Sequence, residues 1–129
     1  MISQASVLLL LVTLQVASGT LQSPSPHEKI VMDAARSFVQ QLATGEFDKA
    51  NEAFGPPLMF TMGAGKLKAQ WQMVTEQVGP FKSIVDVQLE SQDGFTGVVL
   101  NCAFERKNVK VIPWFDDQSR IVRLFYDPR

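Results

Sequence analysis

Apolar residues recur every three to four positions through the first half of this chain and every second position through much of the rest. Ile30, Ala34, Phe38 and Leu42, flanked by Val31, Ala35 and Val39, make a broad stripe of helical period. Ser25-Pro26 supplies its start, a Ser cap followed by Pro at the first helical position. Glu28 lies in the first turn, where an acid suits the helix dipole. Gly45 can take the left-handed position that ends the helix. A second, short helix is predicted over Glu46 to Phe54, with Phe47, Ala50 and Phe54 on one side. Gly55-Pro56-Pro57 ends it, because consecutive prolines remove amide donors. Leu58 to Gly65 is apolar but irregular and reads as a loop or a turn of helix on the core. A third helix runs from Ala64 to Val78, with Leu67, Trp71, Val74 and Val78 on one buried face, and Gly79-Pro80 stops it.

The period then changes to two. Val85, Val87 and Leu89 alternate with Asp86, Gln88 and Glu90, which predicts a strand with one wet face. Asp93-Gly94 is a strong hairpin signal. Phe95 to Glu105 is a second strand, richer in apolar residues and therefore central. Arg106-Lys107-Asn108 turns the chain into a third strand, Val109 to Phe115. A fourth, Arg120 to Tyr126, follows the turn Asp116-Asp117-Gln118-Ser119. Pro113 lacks an amide donor, so a bulge is expected there. Three helices followed by an antiparallel meander make an α+β domain, with the helices on one face of a curved four-stranded sheet. Such a sheet closed by helices encloses a conical interior, which serves equally as a pocket or as a plain core.

The N-terminus changes the picture of where this domain works. The first 27 residues contain no Asp, Glu, Lys or Arg, and Val7 to Val12 is an unbroken aliphatic run. Small residues, Ala17-Ser18-Gly19, follow it. This is the layout of a secretory signal, although no basic residue precedes the apolar run. Residues 1–19 are read as the signal, 20–26 as a short polar linker and 27–129 as the domain. Cleavage near Gly19/Thr20 would release a secreted or periplasmic protein with no stable membrane span. The alternative is an N-terminal anchor, for which the run is short of the roughly 20 residues a spanning helix needs.

Composition narrows the function classes. Twelve basic and thirteen acidic side chains leave a net charge of -1, which gives no basic footprint for nucleic acid. Cys102 is the only cysteine, so no disulfide forms within the chain. It sits in an apolar run and is expected to be a buried, inert thiol.

The order of elements resembles the nuclear-transport-factor-2-like (cystatin-like) superfamily. It is most similar to an uncharacterised domain family within it, one often found beside α/β-hydrolase domains in bacterial proteins. The residues carrying the likeness are Gly45-Glu46-Phe47, Phe54, Leu67 and Trp71, Gly79 and Phe81, Phe115-Asp116, and Ile121, Leu124 and Pro128. Gly55-Pro56-Pro57 departs from the pattern, as does Ser119-Arg120 where a Gly-Lys turn is usual. The resemblance implies a cone-shaped fold, and a hydrolase encoded beside this domain would support an accessory role. It implies no catalytic residues, and fold alone does not set function.

No reactive cluster emerges. His27 is the only histidine and lies far in sequence from any activated Ser or Cys. Gly63-Ala64-Gly65-Lys66 lacks the spacing and the Ser/Thr of a phosphate loop. No His, Cys and carboxylate set has metal-ligand spacing, and no cofactor is implied. Asp116-Asp117 is expected to be solvated. Pocket acids serve as bases in superfamily enzymes that resemble ketosteroid isomerase. Here Asp86 and Glu90 fall on the wet face. Phe38, Phe54, Met62 and Trp71 are the candidate lining of a pocket for a small apolar ligand. Trp114 alternates out of phase with the core and, with Ile112, forms a candidate apolar patch for a partner or a homodimer. Ile112-Pro113-Trp114 is also similar to the Pro-Trp loop of cystatin protease inhibitors, although the companion Q-x-V-x-G loop is absent. The expected function is an exported, non-catalytic ligand-binding or protein-interaction domain. A pocket enzyme of isomerase or dehydratase type and a cystatin-like inhibitor are the alternatives.

Overall fold

Ser25 caps the first helix, α1 (Pro26–Ala43), in a computed structural model that describes residues 24–129. The Ser25 hydroxyl accepts from the Glu28 amide at 3.1 Å, and the Glu28 carboxylate accepts from the Ser25 amide at 2.9 Å. This reciprocal box satisfies two of the free amides at the helix start. Gly45 follows in the left-handed region at φ 81°. The signal and most of the linker expected at residues 1–26 lie outside the described residues.

The buried face of α1 is Val31, Ala35, Phe38, Val39 and Leu42. Ile30, expected in that stripe, is 55% exposed and marks its edge. Helix α2 (Phe47–Asn51) is short. Of the two forms expected next, a loop or a turn of helix, the chain takes the helix and starts it earlier than expected: α3 (Pro56–Thr61) begins at the prolines themselves. Proline ends the preceding helix and also pre-sets the backbone angle of the next helix's first turn. Helix α4 (Ala64–Val78) buries Leu67, Trp71 and Val78.

Four strands follow in a sheet of order β1-β2-β3-β4, all antiparallel: β1 (Phe81–Gln92), β2 (Phe95–Phe104), β3 (Asn108–Phe115) and β4 (Ile121–Asp127). Asp93 and Gly94 both have positive φ, 52° and 83°, as a two-residue hairpin of matching twist requires. β2 is central, as its apolar content predicts.

Two expectations about the sheet change. Ile84 pairs with Cys102 and Asp86 with Asn101, so Val85 is an extra residue in β1. That bulge reverses the phase of the strand and leaves Val85 56% exposed, while Ile84, Val87 and Leu89 face the core. The bulge expected at Pro113 is absent. Pro113 stays in register opposite Leu124, and the irregularity comes one step later, where Val122 is the extra residue between Arg123 and Ile121.

The inner face of the sheet carries Val98, Leu100, Cys102, Phe104, Val109, Val111, Phe115 and Ile121, packed with α1 and α4 into one cluster. A segment between α2 and α3 joins this core to the last strand. The Ile121 amide donates to the Ala53 carbonyl and the Gly55 amide donates to the Ile121 carbonyl, both at 2.8 Å. Phe54 and Ile121 thus form a parallel bridge that covers the start of the β4 edge. At the other side, the β2–β3 turn holds the end of α4. The Arg106 guanidinium donates to the Glu76 carbonyl at 3.0 Å and its amide to the Val78 carbonyl at 2.8 Å. These bonds satisfy carbonyls that have no partner within the helix.

Candidate functional site

The four candidate pocket residues do not surround one space. Phe38 and Phe54 pack with their rings tilted at 43° and centres 5.9 Å apart, and they are 1% and 3% exposed. Trp71 belongs to a separate triad with Phe81 and Phe104, with centres 5.5 to 6.1 Å apart. Met62 is half-buried, and its carbonyl accepts from the Asn51 side chain at 3.0 Å. The space between helices and sheet is filled by these rings and the aliphatic cluster. Grooves do open beside two of the residues at the surface. One, of about 290 Å³, lies between Phe54, Pro56, Met59, Phe60 and Arg120. Another, beside Trp71, is bordered by Ala43, Thr75, Glu76, Pro80 and Phe81.

No charged or polar residue is buried among the described residues. Asp86 and Glu90 are exposed on the face of the sheet away from the helices. The phenol of Tyr126, on the inner side, finds no hydrogen-bond partner, and burial pushes its pKa up. Burial also raises the Cys102 thiol to about 12, and its Sγ lies 3.5 Å from the Leu100 carbonyl oxygen. Burial thus disfavours the thiolate form on which nucleophilic reactivity depends. Among the described residues no group of three His, Cys, Asp or Glu could hold a metal ion. None of the helices there is long and apolar enough to cross a membrane.

Asp116 is not the solvated acid that its turn position suggested. Its side chain is 13% exposed. One oxygen accepts from the Gln118 and Arg120 amides, both at 2.9 Å, and the other from the Arg120 guanidinium at 3.0 and 3.1 Å. Burial works against ionisation, but the amides and the guanidinium outweigh it and hold the carboxyl below its ordinary range. Asp116 therefore builds the β3–β4 turn.

The candidate patch, by contrast, comes together. Strand alternation puts Ile112 and Trp114 on the helix-free face of β3, while Val109, Val111, Pro113 and Phe115 face inward. Register then defines rows across that face. One row is Gln88, Val99, Ile112 and Phe125, and the next is Glu90, Gly97, Trp114 and Arg123. Phe95, next along β2, is 42% exposed and Phe125 is 49% exposed. Phe95, Trp114, Val122 and Phe125 border a groove of about 280 Å³ with Gln92, Asp93 and Arg123. Trp114 reaches across to Gly97, whose missing side chain leaves room for the indole. Phe95, Gly97 and Phe125 were not singled out from sequence. Their membership depends on strand register, although a glycine inside a central strand signals close approach. Ile112-Pro113-Trp114 lies within β3, paired on its β4 side throughout, rather than in a loop.

These features define an α+β domain: an open sheet of four antiparallel strands with helices packed on one face and an apolar patch on the other. Residues 35–124, well over half of the chain, match the model of the family described as protein of unknown function (DUF3887), and the chain belongs to that family. No curated protein matches the chain, and no solved structure does.

Proposed function

We propose that this chain is an exported, non-catalytic protein-interaction domain of nuclear-transport-factor-2-like fold, working through the helix-free face of its sheet. One observation carries the reading. Phe95, Val99, Ile112, Trp114 and Phe125 gather on a face that no helix among the described residues covers. Large exposed aromatics grouped on one surface are the usual anchors of protein interfaces. The filled interior favours a partner on the surface over a small ligand inside. Export rests on the apolar N-terminal run and its small-residue boundary.

Photo-crosslinking tests the reading. Phe125→p-benzoylphenylalanine, irradiated in the cell that makes the protein, is expected to yield a discrete covalent adduct. The same group at Lys107, in an exposed turn, serves as the control. Labelling at position 125 no greater than at position 107 would remove the interaction face.

A further inference from the structure

We infer that the outer side of α3, with the start of α4, is a membrane-contacting surface that seats on bilayers carrying anionic phospholipids. It lies beside β4, at the edge of the sheet, and is separate from the face argued above. Within α3 only Leu58 packs against the core, and the helix buries no side chain completely. Met59 and Phe60 stand out from it, 44% and 90% exposed. Phe60 is the most exposed large apolar residue among the described residues. It is not isolated. Ala69 and Met73 follow Lys66 on one side of α4 at spacings of three and seven, and Met73 is 59% exposed.

Charge selects the occupant. From Ala53 to Thr75 the chain carries Lys66 and Lys68 and no acid. The Lys66 ammonium donates to the Thr61 carbonyl at 3.2 Å, which sets a cation at the end of α3 beside Phe60. Both lysines are exposed, and neither has an ion-pair partner among the described residues. They lie in the first turns of α4, where the helix dipole favours acids, so they cost the helix stability. Arg120 borders the groove on the other side of Phe60 and already neutralises Asp116. Lysine is depleted at protein interfaces, whereas bases beside exposed phenylalanine are the usual make-up of a bilayer-surface contact. The ring enters the boundary between headgroups and acyl chains, and the ammonium groups meet the phosphates. One inserted ring and two lysines make a shallow contact, reversible and sensitive to salt.

Cosedimentation of the purified protein with vesicles tests this. Vesicles of phosphatidylcholine mixed with phosphatidylglycerol are expected to retain the wild type and to release it as salt rises, and phosphatidylcholine alone should bind about tenfold less. Phe60→Ser, at a side chain the fold does not use, should weaken binding about tenfold. Lys66→Gln combined with Lys68→Gln should weaken it by about tenfold or more. Lys107→Gln, in an exposed turn, should leave it unaltered. A polarity-sensitive fluorophore on Phe60→Cys attaches there alone, because Cys102 is buried, and should shift to the blue on the mixed vesicles. No retention by the mixed vesicles would overturn the inference. So would retention that survives both the Phe60 and the double lysine changes, or an unshifted fluorophore on bound protein. If Phe60→p-benzoylphenylalanine yields a protein adduct in the cell while the purified protein ignores vesicles, the surface takes a protein and the membrane reading falls.

Discussion

The indole of Trp114 lies against the backbone of Gly97, so close that a Cβ on Gly97 would sit 2.8 to 2.9 Å from three of its ring carbons. The two residues are direct partners across β2 and β3. Gly97 is therefore the floor on which the aromatic centre of the helix-free face rests. It keeps Trp114 flat on the sheet, half-buried by its own domain and ready to cover more surface.

Gly97→Ala should displace the indole, costing about 1 to 3 kcal/mol and changing the near-ultraviolet circular dichroism of tryptophan. In a Trp114→Ala background the same substitution should cost nothing or stabilise slightly, since alanine orders a strand better than glycine. Denaturant unfolding of the four proteins in this cycle provides the check. An equal cost in both backgrounds would mean that Trp114 is not what Gly97 accommodates.

Asp116→Asn should remove about 1 to 2 kcal/mol at pH 7, because the charged acceptor of the Arg120 guanidinium is lost. The pH dependence has a definite sign. The folded-state pKa of Asp116 is lowered, so its contribution is complete above the unfolded value of about 3.9 and disappears as pH falls through the folded value. The gap between wild type and Asp116→Asn should hold from pH 7 to about pH 5 and close in more acid solution. Parallel melts carried from pH 7 into that more acid solution check this, and a gap that stays open there would contradict the ion pair.

Ser119 has φ 62°, a left-handed conformation that an L side chain adopts at a cost. It occupies the place where a Gly-Lys turn is usual in the family that the sequence resembles. Ser119→Gly should raise stability by about 1 kcal/mol. Chemical denaturation measures this directly, and a destabilised variant would show that the Ser119 side chain makes a contact worth more than the strain.

Cys102 should resist thiol reagents in the folded protein. It is fully buried, and its thiolate is scarce at any ordinary pH. Labelling by a disulfide reagent at pH 8 should follow the rate of unfolding and speed up with denaturant. Rapid stoichiometric labelling in buffer alone would place the sulfur at the surface instead.

Most of this architecture is legible wherever the signal is local. The Ser25-Pro26 start, the glycines at 45 and 79 and the Asp93-Gly94 hairpin each act through their own backbone. What escapes is set by distant partners. Val85 alternates correctly within β1, yet pairing with β2 makes it a bulge and turns it outward. Pro56-Pro57 marks a helix end, and only the next residues' packing decides that a helix also begins there. Asp116 looks like half of a solvated pair until Arg120 folds back on it. The site follows the same division. The phase of β3 exposes Ile112 and Trp114 in advance, whereas Phe95, Gly97 and Phe125 join them only through register across the strands.

The bridge between Phe54 and Ile121 has a consequence for the order in which this molecule can be made. It ties the helical half to a strand 67 positions later in the chain. On a ribosome, everything before Ile121 emerges without that tie, and contacts so distant in sequence form late. The domain can close only after its C-terminal strand is free.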